Sequence, residues 1–257
     1  AEISRTALLD NFCAAGPADP EVMGGLTLAA EGCYDAAIGY GAPFISGKDS
    51  FYNQSKDAAG KDYPIPLSLL ISAMAPVEDV RRAITMNFKE AGAPVYLAGF
   101  GQKGMGGSVY GELYGCGNNY LGPVDIKAAV RLYGVLLKAI KKGFVTAAHD
   151  VSQGGLAVTL AEMAFSGGLG AELDLAGAAV EKGCSDLERL FGEAPSRLVL
   201  EVAKEKESEF LKLVKGLPVK EIGFVSEAPL LSVRAGEGLL FREDINAFKK
   251  CWQRELL

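Results

Sequence analysis

Histidine is almost absent: His149 is the only one among 257 residues. Any acid-base role for a histidine falls on that side chain. Neither a Ser-His-Asp nor a Cys-His constellation assembles around it, which argues against hydrolase chemistry. Its plainer reading is a strand-end residue satisfied by hydrogen bonds. Paired cysteines are lacking too. Cys13, Cys33, Cys116, Cys184 and Cys251 stand singly, an odd number with no CxxC spacing. That pattern indicates neither a zinc site nor a disulfide framework, and the thiols read as reduced and mostly buried in a cytosolic protein. Positive charge is in deficit. Against 32 Asp and Glu there are 26 Lys and Arg, a net charge of -6 and the wrong sign for gripping nucleic acid by its phosphates. Apolar stretches such as Ile65 to Val77 are broken by proline and serine and fall short of the roughly 20 residues a membrane span needs. No signal peptide is visible. The opening residues Ala1-Glu2-Ile3-Ser4-Arg5 hold no methionine and read as the start of a piece cut from something longer.

What is present is globular. With 49% apolar and 23% charged residues, the chain has enough apolar surface for a core without disulfides or metals. Its length favours two ordinary domains. Thr6 to Leu9 reads as a short buried strand whose exit carries Asp10. Asp19 is placed to cap a helix that has Pro20 at its first position, runs to about Tyr40 and stops at Gly41. Val22, Leu26, Ala29, Ala30, Cys33, Ala37 and Ile38 recur at three and four, so one face should pack on a sheet. Pro66 to Ala75 reads as a second, near-continuous apolar strand ending at Pro76. A composition shift over Glu78 to Glu90 places a boundary there, giving domains 1–87 and 88–257. The second part holds a glycine-dense loop from Gly99 to Gly107, a helix from Pro123 to about Lys142 and a strand from Phe144 to Ala148. After these come a helix from Leu156 to Phe165, a strand from Arg197 to Val202, a charged helix from Lys204 to Lys215 and a strand from Val219 to Val225.

Two motifs offer chemistry. Asp150-Val151-Ser152-Gln153-Gly154-Gly155 lies between a strand and a helix, where glycines and first-turn N–H groups approach an anion closely. A carboxylate before such a turn can hold Mg²⁺ against phosphate. The alternative is a glycine turn capped by Asp150 and Ser152. Ser46-Gly47-Lys48-Asp49-Ser50 has phosphate-loop composition without the Walker A spacing, and a solvated turn is its alternative. The Gly99 to Gly107 loop lacks the context of a dinucleotide fingerprint, so a Rossmann domain is rejected.

Taken together, several runs resemble the second half of the phosphoribosylformylglycinamidine synthases, purine-pathway enzymes related to aminoimidazole ribonucleotide synthetase. They are Leu9-Asp10-Asn11-Phe12-Cys13, Gly47 to Asn53, Gly106-Gly107-Ser108, Ala148 to Ala157, Ala161-Glu162-Met163-Ala164, and Leu190-Phe191-Gly192-Glu193 with Ser196-Arg197. The resemblance implies a mixed α/β and α+β unit: an N-terminal α/β domain that pairs its sheet with a sister domain, and a C-terminal three-layer α+β domain. It implies a ligase that uses ATP to activate the amide oxygen of formylglycinamide ribonucleotide, so that ammonia yields the amidine. In that family the complete chain holds two such units, with the nucleotide where they meet and the catalytic histidine in the first. This fragment should therefore be inactive alone and carry no catalytic residue.

Carried over residue by residue, Asp10, Gly47 and Ser50 match ATP contacts, with Ser50 also near the substrate. Lys48 stands where smaller members place a magnesium-binding asparagine. An ammonium does not ligate Mg²⁺, but it can neutralise a phosphate. Asp150 and Ser152 match the metal and nucleotide contacts of an auxiliary ADP site, and Glu2 matches another acidic ligand there. Between Arg5 and Thr6 the chain falls about twenty residues short of the family pattern. The implied cofactors are ATP or ADP and Mg²⁺. The implied partners are the N-terminal half and a glutaminase supplying ammonia, with self-association of the isolated fragment, no nucleic acid and no membrane. The implied location is the cytoplasm. Two other readings remain open: a non-catalytic nucleotide-holding scaffold, and a relative performing another ATP-dependent phosphorylation.

Overall fold

The structure, a computed structural model, describes residues 5–115 and 120–254. The chain divides into two compact units, Ala1–Val80 with Ile126–Val130, and Arg81–Asp125 with Arg131–Leu257.

In the first unit, β1 (Ala7–Cys13) is the central strand of three. It runs parallel to β2 (Phe44–Gly47) and antiparallel to β5 (Ser68–Met74). The ladder with β5 continues without a break from Ala7 opposite Met74 to Cys13 opposite Ser68. Asp10 and Asn11 therefore lie inside the strand and not at its exit, because backbone pairing carries the strand past the point where side-chain polarity changes. A small polar hairpin, β3 (Gln54–Lys56) with β4 (Asp62–Pro64), lies between β2 and β5 in the sequence. Helix α1 (Pro20–Tyr40) forms as its local signals require. Asp19 Oδ1 accepts the Glu21 N–H at 2.9 Å, and Gly41 closes the helix at φ 65°. Of its expected inner face, Val22, Leu26, Ala29, Cys33 and Ala37 are half-buried, while Ala30 and Ile38 are exposed. The apolar strand expected over Pro66 to Ala75 is present as β5, exposed along its whole length, with Leu69, Leu70, Ile71 and Met74 between 37% and 64% accessible. Among the described residues before 81, only Ala14, Ala15 and Ala42 are buried.

The second unit is built on seven strands. They are β6 (Pro94–Ala98), β7 (Val145–Asp150), β8 (Gly170–Asp174), β9 (Leu198–Val202), β10 (Val219–Ser226), β11 (Leu230–Ala235) and β12 (Gly238–Asp244), in the spatial order β12-β11-β8-β10-β6-β9-β7. Its helices are α2 (Val109–Tyr114), α3 (Ile126–Lys141, whose residues Ile126–Val130 group with the first unit), α4 (Gly155–Gly167), α5 (Asp186–Phe191), α6 (Glu207–Leu213) and α7 (Ile245–Trp252). Strand alternation sorts the core into two layers. Val95 and Leu97 of β6 join Leu156, Leu160 and Met163 of α4, Leu190 of α5 and Ile245 of α7. Tyr96 and Ala98 join Leu132 and Leu136 of α3 and Phe210 of α6 on the opposite face. Helices thus cover both faces of the sheet, a three-layer α+β arrangement. Each fully buried Leu contributes about 1.5–3 kcal/mol relative to exposure.

One buried carboxylate interrupts this core. Glu201, 1% exposed, accepts N–H bonds from Lys89 at 2.7 Å and Glu90 at 3.1 Å and the Thr146 hydroxyl at 3.0 Å. Burial pushes its pKa up, and these bonds oppose the shift. Among the described residues, no helix is long and apolar enough to cross a membrane.

Candidate functional site

The first cluster lies where β1 and β2 run side by side. Asp10 and Gly47 are register partners, and a Cβ at position 47 would collide with the Asp10 carboxylate. The chain then continues alongside β1. Lys48 N–H donates to Asp10 O at 3.1 Å, Ser50 N–H to Phe12 O at 2.8 Å, and Ala14 N–H to Ser50 O at 3.0 Å. Phe12 N–H in turn donates to Asp49 Oδ1 at 3.1 Å.

Residues 46–50 are therefore not a free turn, and the Lys48 and Ser50 N–H groups serve the strand. The run also presents side chains. The Lys48 ammonium donates to the Ser50 hydroxyl, and the Asp10 carboxylate lies beside Gly47. This arrangement offers one cation, one hydroxyl and one carboxylate to a polar ligand.

The second cluster is in the other unit, at the end of β7. His149 contacts Asp150 Oδ1 through Nδ1 at 3.2 Å and Glu162 Oε2 through Nε2 at 3.0 Å. Its ring is 14% accessible, against 70% for the Asp150 side chain, so the histidine is satisfied at a strand end as expected. The Asp150 carbonyl accepts the Thr159 hydroxyl at 3.1 Å, and Val151 N–H donates to Arg197 O at 2.9 Å. Ser152 is exposed.

The alternative reading of a turn capped by Asp150 and Ser152 fails. The N-cap of α4 is Gly154 at φ 79°, with no side-chain cap. At Gly155, φ 67°, a Cβ would strike the Leu190 and Phe191 backbone, so glycine is required there on two counts. The Gly154 N–H goes to Glu193 Oε1 at 2.8 Å, and the same oxygen accepts the Val109 N–H at 2.9 Å.

The glycine-dense loop is tied down in the same manner. Glu188 Oε1 accepts the Gly104 N–H at 2.7 Å, and Glu181 Oε2 accepts the Lys103 N–H at 3.1 Å. The Ser185 N–H holds the Glu188 carboxyl below its usual range, with burial opposing the shift and the Gly104 N–H reinforcing it.

Among the described residues no three His, Cys, Asp or Glu side chains gather as a metal cage. Glu2 lies outside them. An exposed single carboxylate such as Asp150 nonetheless suits Mg²⁺, which takes one or two carboxylates and completes its shell with waters and phosphate oxygens.

Residues 90–236 match the profile of the AIR synthase related protein, C-terminal domain. The chain belongs to the AIR synthase related family. Within it, the chain is 36% identical over 208 residues to the phosphoribosylformylglycinamidine synthase subunit PurL of Thermococcus sibiricus, covering 81% of this chain and 28% of that protein. It is 31% identical over 223 residues to the corresponding subunit of Leifsonia xyli subsp. xyli, covering 84% of this chain and 28% of that protein. The chain thus spans little more than a quarter of the length of these relatives. Thermotoga maritima PurL complexed with FGAR superposes with a TM-score of 0.71 at 18% identity, over 95% of this chain and 40% of that one. E. coli HypE, a hydrogenase maturation protein, superposes at 0.64 and 16% identity, over 93% and 72%. At these identities the superpositions establish the AIR synthase related fold alone.

Motif reading on its own missed the part played by Glu193. Its two contacts are made at sequence separations of 39 and 84 residues, so no local pattern announces them. Glu162, thirteen residues beyond His149, stands in the run Ala161-Glu162-Met163-Ala164 with no local sign of its contact with the histidine.

Proposed function

We propose that this chain is the second unit of an ATP-dependent phosphoribosylformylglycinamidine synthase, inactive alone, acting in the cytoplasm in purine biosynthesis. The observation that carries the reading is the 36% identity over 208 residues to a PurL subunit of which those residues make up 28%. In this reading ATP phosphorylates the amide oxygen of formylglycinamide ribonucleotide. Ammonia then adds at that carbon and phosphate leaves, giving the amidine.

Asp10, Gly47 and Ser50 face ATP, with Ser50 also beside the substrate amide. Lys48, already against the Ser50 hydroxyl, supplies positive charge to a phosphoryl group without a metal ligand at that position. Such a preorganised cation favours a transition state in which charge grows on phosphoryl oxygens. Asp150 and Ser152 hold an auxiliary nucleotide, with Asp150 and Glu2 as carboxylates for Mg²⁺. Mg²⁺ there would offset the charge of the diphosphate.

The partners are the N-terminal half of the same enzyme, which brings the catalytic histidine, and a glutaminase that delivers ammonia. The exposed apolar side chains of β5, a sheet edge with open backbone groups, support a sister sheet pairing there. The isolated fragment would use the same edge to self-associate.

The test is an amidine-formation assay with ATP and ammonia, run on the chain alone and on the chain mixed with a separately produced first unit. Product is expected only from the mixture. Turnover by the chain alone, or none from a correctly assembled mixture, overturns the reading.

A further inference from the structure

Glu193 lies outside both chemistry-bearing motifs, yet its single oxygen Oε1 holds the Gly154 N–H of one loop and the Val109 N–H of another. The segment that presents it is costly to build. Ser196 adopts φ 63°, a conformation disfavoured for any residue with a Cβ. Arg197 is 2% exposed; it donates from a terminal guanidinium nitrogen to Gly192 O at 3.1 Å, and its Nε has no partner among the described residues. A strained backbone and an orphaned buried donor in one short loop call for an explanation. What this loop contributes to its surroundings is the Glu193 carboxylate, bonded to two N–H groups of other segments.

At the other end, Gly154 and Gly155 both have positive φ. In such a glycine turn no side chain keeps an anion from the backbone N–H groups. Of these, the Gly155 N–H is spent on Ser152 O at 2.9 Å, and the Gly154 N–H goes to Glu193.

We propose that Glu193 is a positioning residue acting as an internal anion. Its carboxylate takes the place that a phosphate oxygen would occupy at Gly154, and it locks the 152–155 turn to the Ser108-Val109 segment. A bound nucleotide therefore meets this turn through the Asp150 and Ser152 side chains and not through the Gly154 N–H. That last clause rests on the nucleotide reading given above; the internal-anion role does not.

The experiment compares thermal midpoints of the full chain, E193A and E193Q in potassium acetate and in potassium chloride at about 100 mM and equal pH. Losing two charge-assisted bonds should lower the E193A midpoint by roughly 5–10 °C in chloride. Acetate, a free carboxylate that fits the vacated space, should restore at least half of that, while leaving the unmodified chain unchanged. An E193A midpoint that does not fall, or that acetate does not restore, overturns the proposal.

Should E193A fail to fold, E193Q decides. Its neutral amide oxygen keeps the geometry but weakens both bonds, so the Gly154 and Val109 amide proton resonances should move upfield together. If either stays in place, the proposal is wrong. A chain that gains no stability from MgADP, but whose E193A variant acetate restores, would refute the nucleotide reading and leave the role of Glu193 intact.

Discussion

The Asp10 carboxylate occupies the space that a side chain on its register partner Gly47 would need. Glycine at 47 is thus a condition for the placing of Asp10. In the enzyme assembled from both halves, Gly47→Ala should displace the carboxylate and lower kcat/KM for ATP by about 10- to 100-fold, as misplacement of an aligned group does. Steady-state kinetics with ATP varied would check this, and an unchanged kcat/KM would remove Asp10 from the nucleotide site.

Ser50→Ala and Asp10→Asn should likewise act on kinetics more than on stability, since Ser50 and Asp10 are only half-buried. A fall of about tenfold or more in kcat is expected, with the melting temperature within a few degrees of the parent. A large loss of stability with normal kinetics would assign them a structural role.

On the proposed reading, MgADP should raise the melting temperature and Asp150→Asn should abolish that rise. A ligand bound only by the folded state stabilises by about 2.7 kcal/mol at one hundred times its Kd, and that gain should vanish with the Asp150 carboxylate. Differential scanning fluorimetry over a MgADP series reads it directly. Persistence of the gain in the variant would move the site elsewhere.

Acid should destabilise the second unit in part through Asp174. The Ala176 N–H, then the Gly236 N–H, hold its carboxyl below the usual range; burial opposes them and Arg234 adds to them. The unfolded chain, with its carboxyl near the ordinary value of about 3.9, therefore binds more protons through this range. The stabilisation is complete above that value and is lost as pH falls through the lower folded value. Asp174→Asn should lose less stability between about pH 5 and pH 3 than the parent, as measured by urea midpoints. Equal losses would show that Asp174 is not a source of the acid sensitivity.

Helix α1 is legible in the sequence because its signals are local: Asp19, Pro20 and Gly41 act within a turn of the ends they set. The extent of β1 is less legible, because Asp10 and Asn11 are kept in the strand by β5, some sixty residues away. Strand β8 and helix α5 are five and six residues long, too short for periodicity to separate from loop. The candidate site residues could be named from motif resemblance. Their surroundings could not, since the Lys48 and Ser50 N–H groups prove to be spent on β1 and the turn after Asp150 proves to be held by Glu193.

The contrast between three buried alanines before residue 81 and the large side chains packed on both faces of the second sheet implies that the chain does not come apart all at once. Amides of β1 and α1 should exchange with deuterated solvent through shallow, local openings, while those of β6 and β9 wait for the opening of the whole sheet. A protease added under native conditions should trim the chain from its front and leave a resistant core beginning near Phe88. A sister unit laid on β5 would erase that difference, so exchange rates in β5 report whether the two halves have met.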